Sequence, residues 1–214
     1  MNQQSSLWQD AWRRLLANKA AVAGGFILCL FIILAIFAPW IAPHSYSYQN
    51  LDLGPQPPSL DYLLGTDVLG RDLLSRILYG ARVSLMVGFV ATAVALVIGV
   101  SWGIVAGYFG GRVDSIMMRI VDVLYGLPFI IFIILLMVIF GRNIWLLFGA
   151  IGAVEWLTMA RIVRGQVLTI KTQEYVLAAQ AMGVSNLQMF RKHIFPNILG
   201  PIAVYATLTI PQVM

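Results

Sequence analysis

Apolar residues in this chain come in blocks long enough to cross a bilayer. Ala20–Ala42 carries no charge in 23 residues and Val83–Phe109 none in 27. Val123–Phe140 and Asn197–Met214 give 18 residues each, and Ile144–Ala160 gives 17 with one carboxylate, Glu155. A hydrocarbon core of about 30 Å takes roughly 20 helical residues, and each crossing segment must close its backbone hydrogen bonds internally. The pattern therefore predicts an all-α integral membrane protein with five membrane helices. The fifth run stops at Met214 without a polar or basic flank and contains Pro201 and Pro211, so we expect the chain to be cut short at its C-terminus, with at least one further helix beyond it.

Between the blocks the polar positions form short helical patterns. Leu7 to about Asn18, with Ser5 and Ser6 as caps, sets Trp8, Trp12, Leu15 and Leu16 on one side. That is the pattern of a helix lying in the membrane interface, so residues 1–19 form an N-terminal interfacial helix and 20–214 the transmembrane part. The segment 44–81 is rich in proline at first (Pro55, Pro57, Pro58) and polar afterwards. In it, Thr66 or Asp67 can cap a helix running through Arg71 to Tyr79. In 161–196, Thr172 can cap a helix over Gln173–Met182, with Gly183 where a left-handed residue ends a helix. Ser185 can cap a second short helix to about His193, ended by Pro196. Within the blocks, Gly99, Gly103 and Gly107 recur every four residues and lay a flat stripe along one helix face for close helix packing. Gly126 and Pro128 predict a kink near one end of the third span.

Composition and charge sharpen this picture. Hydrophobic residues make up 60% and charged ones 11%, with mean hydropathy +0.84, against roughly half and a quarter in soluble domains. With the N-terminus inside, ten basic residues fall on the cytoplasmic side and four outside (Arg71, Arg76, Arg82, Arg142), the bias expected of cytoplasmic loops. The net charge of +5 then reports topology and gives no reason to invoke nucleic acid, while membrane lipid is the medium. A cleaved signal peptide is the competing reading of the N-terminus, but the first run is too long for its apolar region. The single Cys29 permits no internal disulfide.

Candidate chemistry is sparse. There is no Gly-Lys-Ser/Thr phosphate loop and no His-Glu-x-x-His. His44 and His193 fall on opposite sides of the membrane, so no metal site, cofactor or catalytic residue is expected. Gly99-Val-Ser-Trp-Gly103 matches the nucleophile-elbow pattern of serine hydrolases, but no span supplies a histidine for Ser101, and its two glycines belong to the packing stripe. Glu155 is the ionisable residue inside a span and a candidate for a translocation path.

Leu64-Gly-Thr-Asp-Val-Leu-Gly-Arg-Asp-Leu-Leu-Ser-Arg76 followed by Gly80-Ala-Arg-Val-Ser-Leu85 resembles the signature of C-type permease subunits of oligopeptide, dipeptide and nickel importers driven by ATP. Trp156-x-x-x-Ala-Arg161-x-x-Arg164-Gly and Glu174-Tyr-Val-Leu-Ala-Ala179 through Gly183 to His193-Ile-Phe-Pro-Asn197 resemble the cytoplasmic loop of the same group. The opening Ser6–Arg14 and Met159–Gln166 are nearest the oligopeptide members. The resemblance implies a type I ATP-binding-cassette (ABC) importer transmembrane domain of about six helices in a bacterial inner membrane. It implies a second permease subunit as heterodimer partner, two ATPase subunits that carry the catalysis, and an external peptide-binding protein. It also carries an ATPase-coupling role onto Ala178, Ala179, Gly183 and Pro196. Leu177 stands where the family has its glutamate, with Glu174 three residues earlier, and His193 and Phe195 replace the family's Ile and Leu. The other readings of the same residues are a permease for nickel or another small solute and a proton-coupled secondary transporter using Glu155.

Overall fold

The computed structural model describes residues 7–141 and 143–214, with side chains from Trp12 onward. The Ser5–Ser6 cap, the Trp8 side chain and Arg142 lie outside the described residues. Nine α-helices and one π-helical turn make up the regular structure of these residues, without a β-strand. They are α1 (Leu7–Ala17), α2 (Lys19–Ile41), α3 (Leu73–Phe109), α4 (Gly111–Tyr125), α5 (Phe129–Phe140), α6 (Ile144–Lys171), α7 (Glu174–Ala181), α8 (Asn186–Met189), the π turn Phe190–Ile194 and α9 (Phe195–Val213). Among the described residues four helices are long and apolar enough to cross a membrane: α2, α3, α6 and the run Asn186–Val213. The bent pair α4–α5 makes a fifth if counted as one span. The chain divides into two compact units, one through Leu85 and one from Met86.

In the first unit α2 starts at Asn18, whose side chain accepts from the Ala21 amide at 3.2 Å and satisfies one of the helix's unpaired donors. Residues 44–72 fold without helix or strand and are held by their own polar groups. Thr66 Oγ1 donates to the Gly54 carbonyl (2.7 Å) and accepts from the Gln56 amide (2.8 Å). Asp67 accepts from the Leu69 and Arg71 amides (2.9 and 3.0 Å), from Arg71 Nε at 2.8 Å and from Arg76 Nη1. Partial burial works against its ionisation. The Arg71 amide and guanidinium and the Leu69 amide outweigh that and hold the carboxyl at about 2, below its ordinary 3.8.

The start of α3 corrects the expected cap. Neither Thr66 nor Asp67 caps it. Asp72 does, accepting from the Ser75 amide (2.9 Å) and hydroxyl (2.6 Å), while Ser75 Oγ accepts from the His44 amide (3.1 Å). The helix then continues without a break into the apolar run, so the helix expected through Arg71 to Tyr79 and the second span are one helix.

In the second unit α3 and α6 approach at backbone distance. A Cβ added at Gly99 would meet Met159 Cβ at 2.6 Å, one at Gly103 the Ala160 carbonyl at 2.5 Å, and one at Gly107 Val167 Cβ at 2.9 Å. Gly152 makes the same close approach from the α6 side, where a Cβ would meet the Ala91 carbonyl at 2.7 Å. Such contact is how helices associate where lipid removes the hydrophobic drive. Trp102 and Trp156 pack edge to face at 5.1 Å beside it.

The third apolar run bends where Gly126 and Pro128 predict a kink, but so sharply that it forms two helices. It breaks at Gly126–Leu127–Pro128, and α4 and α5 meet at 83°. Pro128 donates no N–H and pushes Leu127 out of the helical region. The 12 residues of α5 reach only roughly 18 Å. At the other end, α6 runs on past Ala160 to Lys171.

Candidate functional site

The polar segment between α6 and α9 is the most differentiated region of the second unit. Lys171, the last residue of α6, turns its ammonium onto the end of α3, where Nζ donates to the Tyr108 carbonyl at 2.7 Å and the Gly107 carbonyl at 3.4 Å. Those carbonyls are among the four that a helix end leaves without intrahelical partners. The expected Thr172 cap of α7 does not form. Thr172 Oγ1 instead donates back to the Thr169 carbonyl at 2.8 Å, and Gln173 occupies the cap position.

Alpha7 ends in a Schellman turn. The Val184 amide reaches the Ala179 carbonyl (3.2 Å) and the Gly183 amide the Gln180 carbonyl (2.9 Å), with Gly183 at φ +77°. Only glycine takes that conformation without steric cost. Pro196 does not end the next helix. The π turn closes a five-residue bond from the Phe195 amide to the Phe190 carbonyl, and its wider ring lets the chain pass through Pro196, the second residue of α9, without interruption. Tyr108 Oη, within 3.0 Å of Asn186 Oδ1, ties α8 to α3.

This hairpin has two unlike faces. Val176, Ala179, Met189, Ile194 and Ile198 are buried together with Val163, Val167 and Ile170 of α6, each larger aliphatic contributing about 1.5–3 kcal/mol on burial. Elsewhere on the hairpin Tyr175, Leu177, Leu187 (65%) and Met182 (77%) are exposed, with Leu187 lining an apolar groove against α3. Of the residues singled out from the sequence, Glu174 opens α7 and is exposed, as are Ala178 and Pro196, while Ala179 is buried. His193 is half-buried in the π turn, its ring 6.2 Å from that of Tyr175. These residues share one hairpin, whereas Glu155 and the glycine stripe lie farther along α6 and α3.

Two ion pairs that sequence reasoning missed join α4 to α6. Arg164 forks onto both oxygens of Asp114, with Nη2 to Oδ2 at 2.6 Å. Arg161 Nη2 holds Asp122 Oδ1 at 2.8 Å and stacks its guanidinium 4.3 Å over the Tyr125 ring. From the sequence both arginines count as topology charges and as part of the cytoplasmic-loop motif, with no partner assigned. A spacing signal did exist: Asp114 and Asp122 are eight apart, on one side of an amphipathic helix.

Near that junction a cavity of about 440 Å³ holds Glu155, Thr158, Tyr125 and Gln212 among aromatic and aliphatic walls. Glu155 is half-buried, and no ion pair or hydrogen bond reaches it among the described residues. Ser101 lies mid-helix with its hydroxyl donated to the Val97 carbonyl at 2.7 Å, not on the strand-to-helix turn that a nucleophile elbow needs. Among the described residues no group of three His, Cys, Asp or Glu is placed to hold a metal ion.

The family model of the inner membrane component of binding-protein-dependent transport systems matches residues 99–214, more than half of the chain and all of this second-unit site. The chain belongs to that family. The N-terminal transmembrane domain of oligopeptide transport permease C matches residues 6–58. Among family relatives, a dipeptide transport system permease protein of Bacillus subtilis is 51% identical over 206 residues, covering 96% of this chain and 64% of the relative. Oligopeptide transport system permease proteins of Haemophilus influenzae and Escherichia coli are each 47% identical, over 96% and 98% of this chain and 67% and 70% of theirs. The chain thus spans about two thirds of the length of these relatives. With its several apolar helices, this family member is a multi-pass membrane protein whose fold is that of the type I ABC importer membrane domain.

Proposed function

We propose that this chain forms the permease part of an ATP-driven importer that moves peptides across a bacterial inner membrane, with the N-terminus and the α7–α8 hairpin on the cytoplasmic side. The observation that carries the reading is the two-faced hairpin. Its buried face joins it rigidly to α6 and α9, and its exposed apolar face stands on a polar segment, where only a partner would cover it. The peptide substrate rests on the dipeptide and oligopeptide transport proteins that the chain resembles.

In this reading a related permease subunit pairs with the chain, two ATPase subunits dock on the hairpin, and an external binding protein delivers peptide. Residues 1–19 lie in the interface and 20–214 form the permease domain. Glu174, Ala178, Ala179, Gly183, His193 and Pro196 belong to the docking hairpin, and Gly99, Gly103 and Gly107 hold α3 on α6. ATP binding closes the ATPases, and the hairpin passes that displacement to α6 and α9. Transport requires that the two access states differ in their contacts with nucleotide-bound ATPase.

The test is uptake by the full-length subunit with its partners in proteoliposomes. Gly183→Ile, which forces a β-branched residue into a left-handed turn, is expected to abolish ATP-driven peptide uptake at normal membrane levels. Wild-type uptake by that variant contradicts the docking role. A second reading, a proton-driven secondary transporter, rests on Glu155. It predicts uptake without ATPase that an uncoupler collapses.

A further inference from the structure

Three observations converge on the cavity around Glu155. The first is the broken backbone. Tyr125, Leu127 and Phe129 at the 83° junction of α4 and α5 line it, and irregular backbone at membrane depth is tolerated where it is buried in protein or lines a water-filled cavity. The second is charge. Holding an ionisable residue in a span costs at least a few kcal/mol, yet the two guanidiniums nearest in sequence are both engaged elsewhere, Arg161 by Asp122 and Tyr125 and Arg164 by Asp114. Glu155 therefore has no cation from the described part of its own chain. The third is the company it keeps. Aromatic side chains (Tyr125, Phe129, Phe132, Trp156) line the same cavity as the carboxylate, together with Thr158 and Gln212, which carry neutral oxygens. A carboxylate with ring faces and neutral acceptors is the lining that an ammonium ion prefers. A divalent metal would instead need several hard oxygen ligands, and Glu155 is the single carboxylate in this lining.

We propose that Glu155 and the aromatic walls of this cavity form a transient subsite for the α-ammonium group of the peptide in transit. The inference rests on the importer reading above and deepens it. The amino terminus is present on every unblocked peptide whatever its side chains, so one carboxylate serves substrates of unrelated sequence. The surrounding apolar surface accepts side chains without selecting among them. The cavity's volume lies within the range of small-molecule sites, about 300–1,000 Å³.

The experiment uses the complete transporter in proteoliposomes with trialanine as probe. Maximal uptake per complex is measured for wild type, Glu155→Gln and Glu155→Asp. The expected result is a fall of about tenfold or more in trialanine uptake for Glu155→Gln and at least half the wild-type uptake in Glu155→Asp. Undiminished uptake in Glu155→Gln, or failure of Glu155→Asp to retain it, overturns the subsite. Should the Gln variant not assemble, labelling of wild-type Glu155 by a hydrophobic carbodiimide, located by mass spectrometry, decides instead. Trialanine is expected to protect Glu155 and N-acetyl-trialanine not to, and equal labelling with and without trialanine overturns the proposal. Absence of ATP-driven uptake by the wild-type complex is a different failure: it removes the importer reading itself.

Discussion

The segment Asn50–Arg76 and the hairpin Thr172–Ile198 carry the two most distinctive motifs in the chain, and they spend their residues in opposite ways. In the first, the polar groups of Thr66, Asp67 and Ser75 are consumed internally, although Asp72 Oδ1 is buried without a hydrogen-bond partner among the described residues. Thr66 binds Gly54 and Gln56, Asp67 collects two amides and two guanidiniums, and Asp72 and Ser75 close the start of α3. Gly65 and Gly70 have positive φ, and a side chain at either would run into the backbone of Gln56 or Asn50. In the hairpin one face is closed over an aliphatic core and the other leaves large apolar side chains uncovered. A motif specific enough to mark a family can thus be devoted to its own folding. The exposed large apolar side chains of the second motif, and not its family resemblance, are what point to a partner.

The sharpest way to break the contrast is Gly70→Val in the full-length subunit. The left-handed conformation and the collision with Asn50 together cost at least about 2–3 kcal/mol, so limited proteolysis should cut residues 50–72 and membrane levels should fall. Asp72→Ala removes a helix cap worth about 1–2 kcal/mol and leaves the Ser75 amide unpaired, lowering the midpoint of thermal unfolding without preventing insertion. At the exposed positions of the hairpin, Met182→Ala and Leu187→Ala should change stability by under about 0.5 kcal/mol while weakening recovery of ATPase with the complex. A loss of stability comparable to Asp72→Ala would show that this face is packed within the subunit. The smallest effect is acid sensitivity. Asp67 is held at about 2, against 3.8 ordinarily. A depressed carboxyl contributes its stability fully above the ordinary value and loses it as pH falls toward the folded one. Proteolysis of residues 50–72 by an acid-tolerant protease should therefore rise between about pH 4 and 2 and be unchanged at higher pH, and Asp67→Asn should abolish that step.

The all-helical membrane fold was legible because the apolar runs are long and nearly free of charge. What was not legible lay where polar residues find partners distant in sequence. Arg76 and Arg82 made residues 71–82 look separate from the second span, yet Asp72 and Ser75 start one helix that continues to Phe109. Arg161 and Arg164 looked like the end of a span, but Asp122 and Asp114 neutralise them and α6 continues to Lys171, which finds carbonyls on α3. Pro196 looked like a stop, and a π turn accommodates it. The spacing of Gly99, Gly103 and Gly107 marks a flat stripe without naming the helix that lies on it, and Gly152 on that helix, three residues after Gly149, belongs to no four-residue repeat. The Glu155 cavity depends on the bend at Pro128, whose angle no periodicity encodes.

The measurement that bears most directly on the account is affinity purification of the full-length subunit from mild detergent, in wild-type form and as Met182→Asp/Leu187→Asp, followed by mass spectrometry. Wild type is expected to bring a second permease and P-loop ATPases, and the double variant to keep the permease while losing the ATPases. Equal recovery of ATPase with both forms would contradict docking on the hairpin, and no ATPase with either, in a detergent that keeps such complexes whole, would contradict the importer reading.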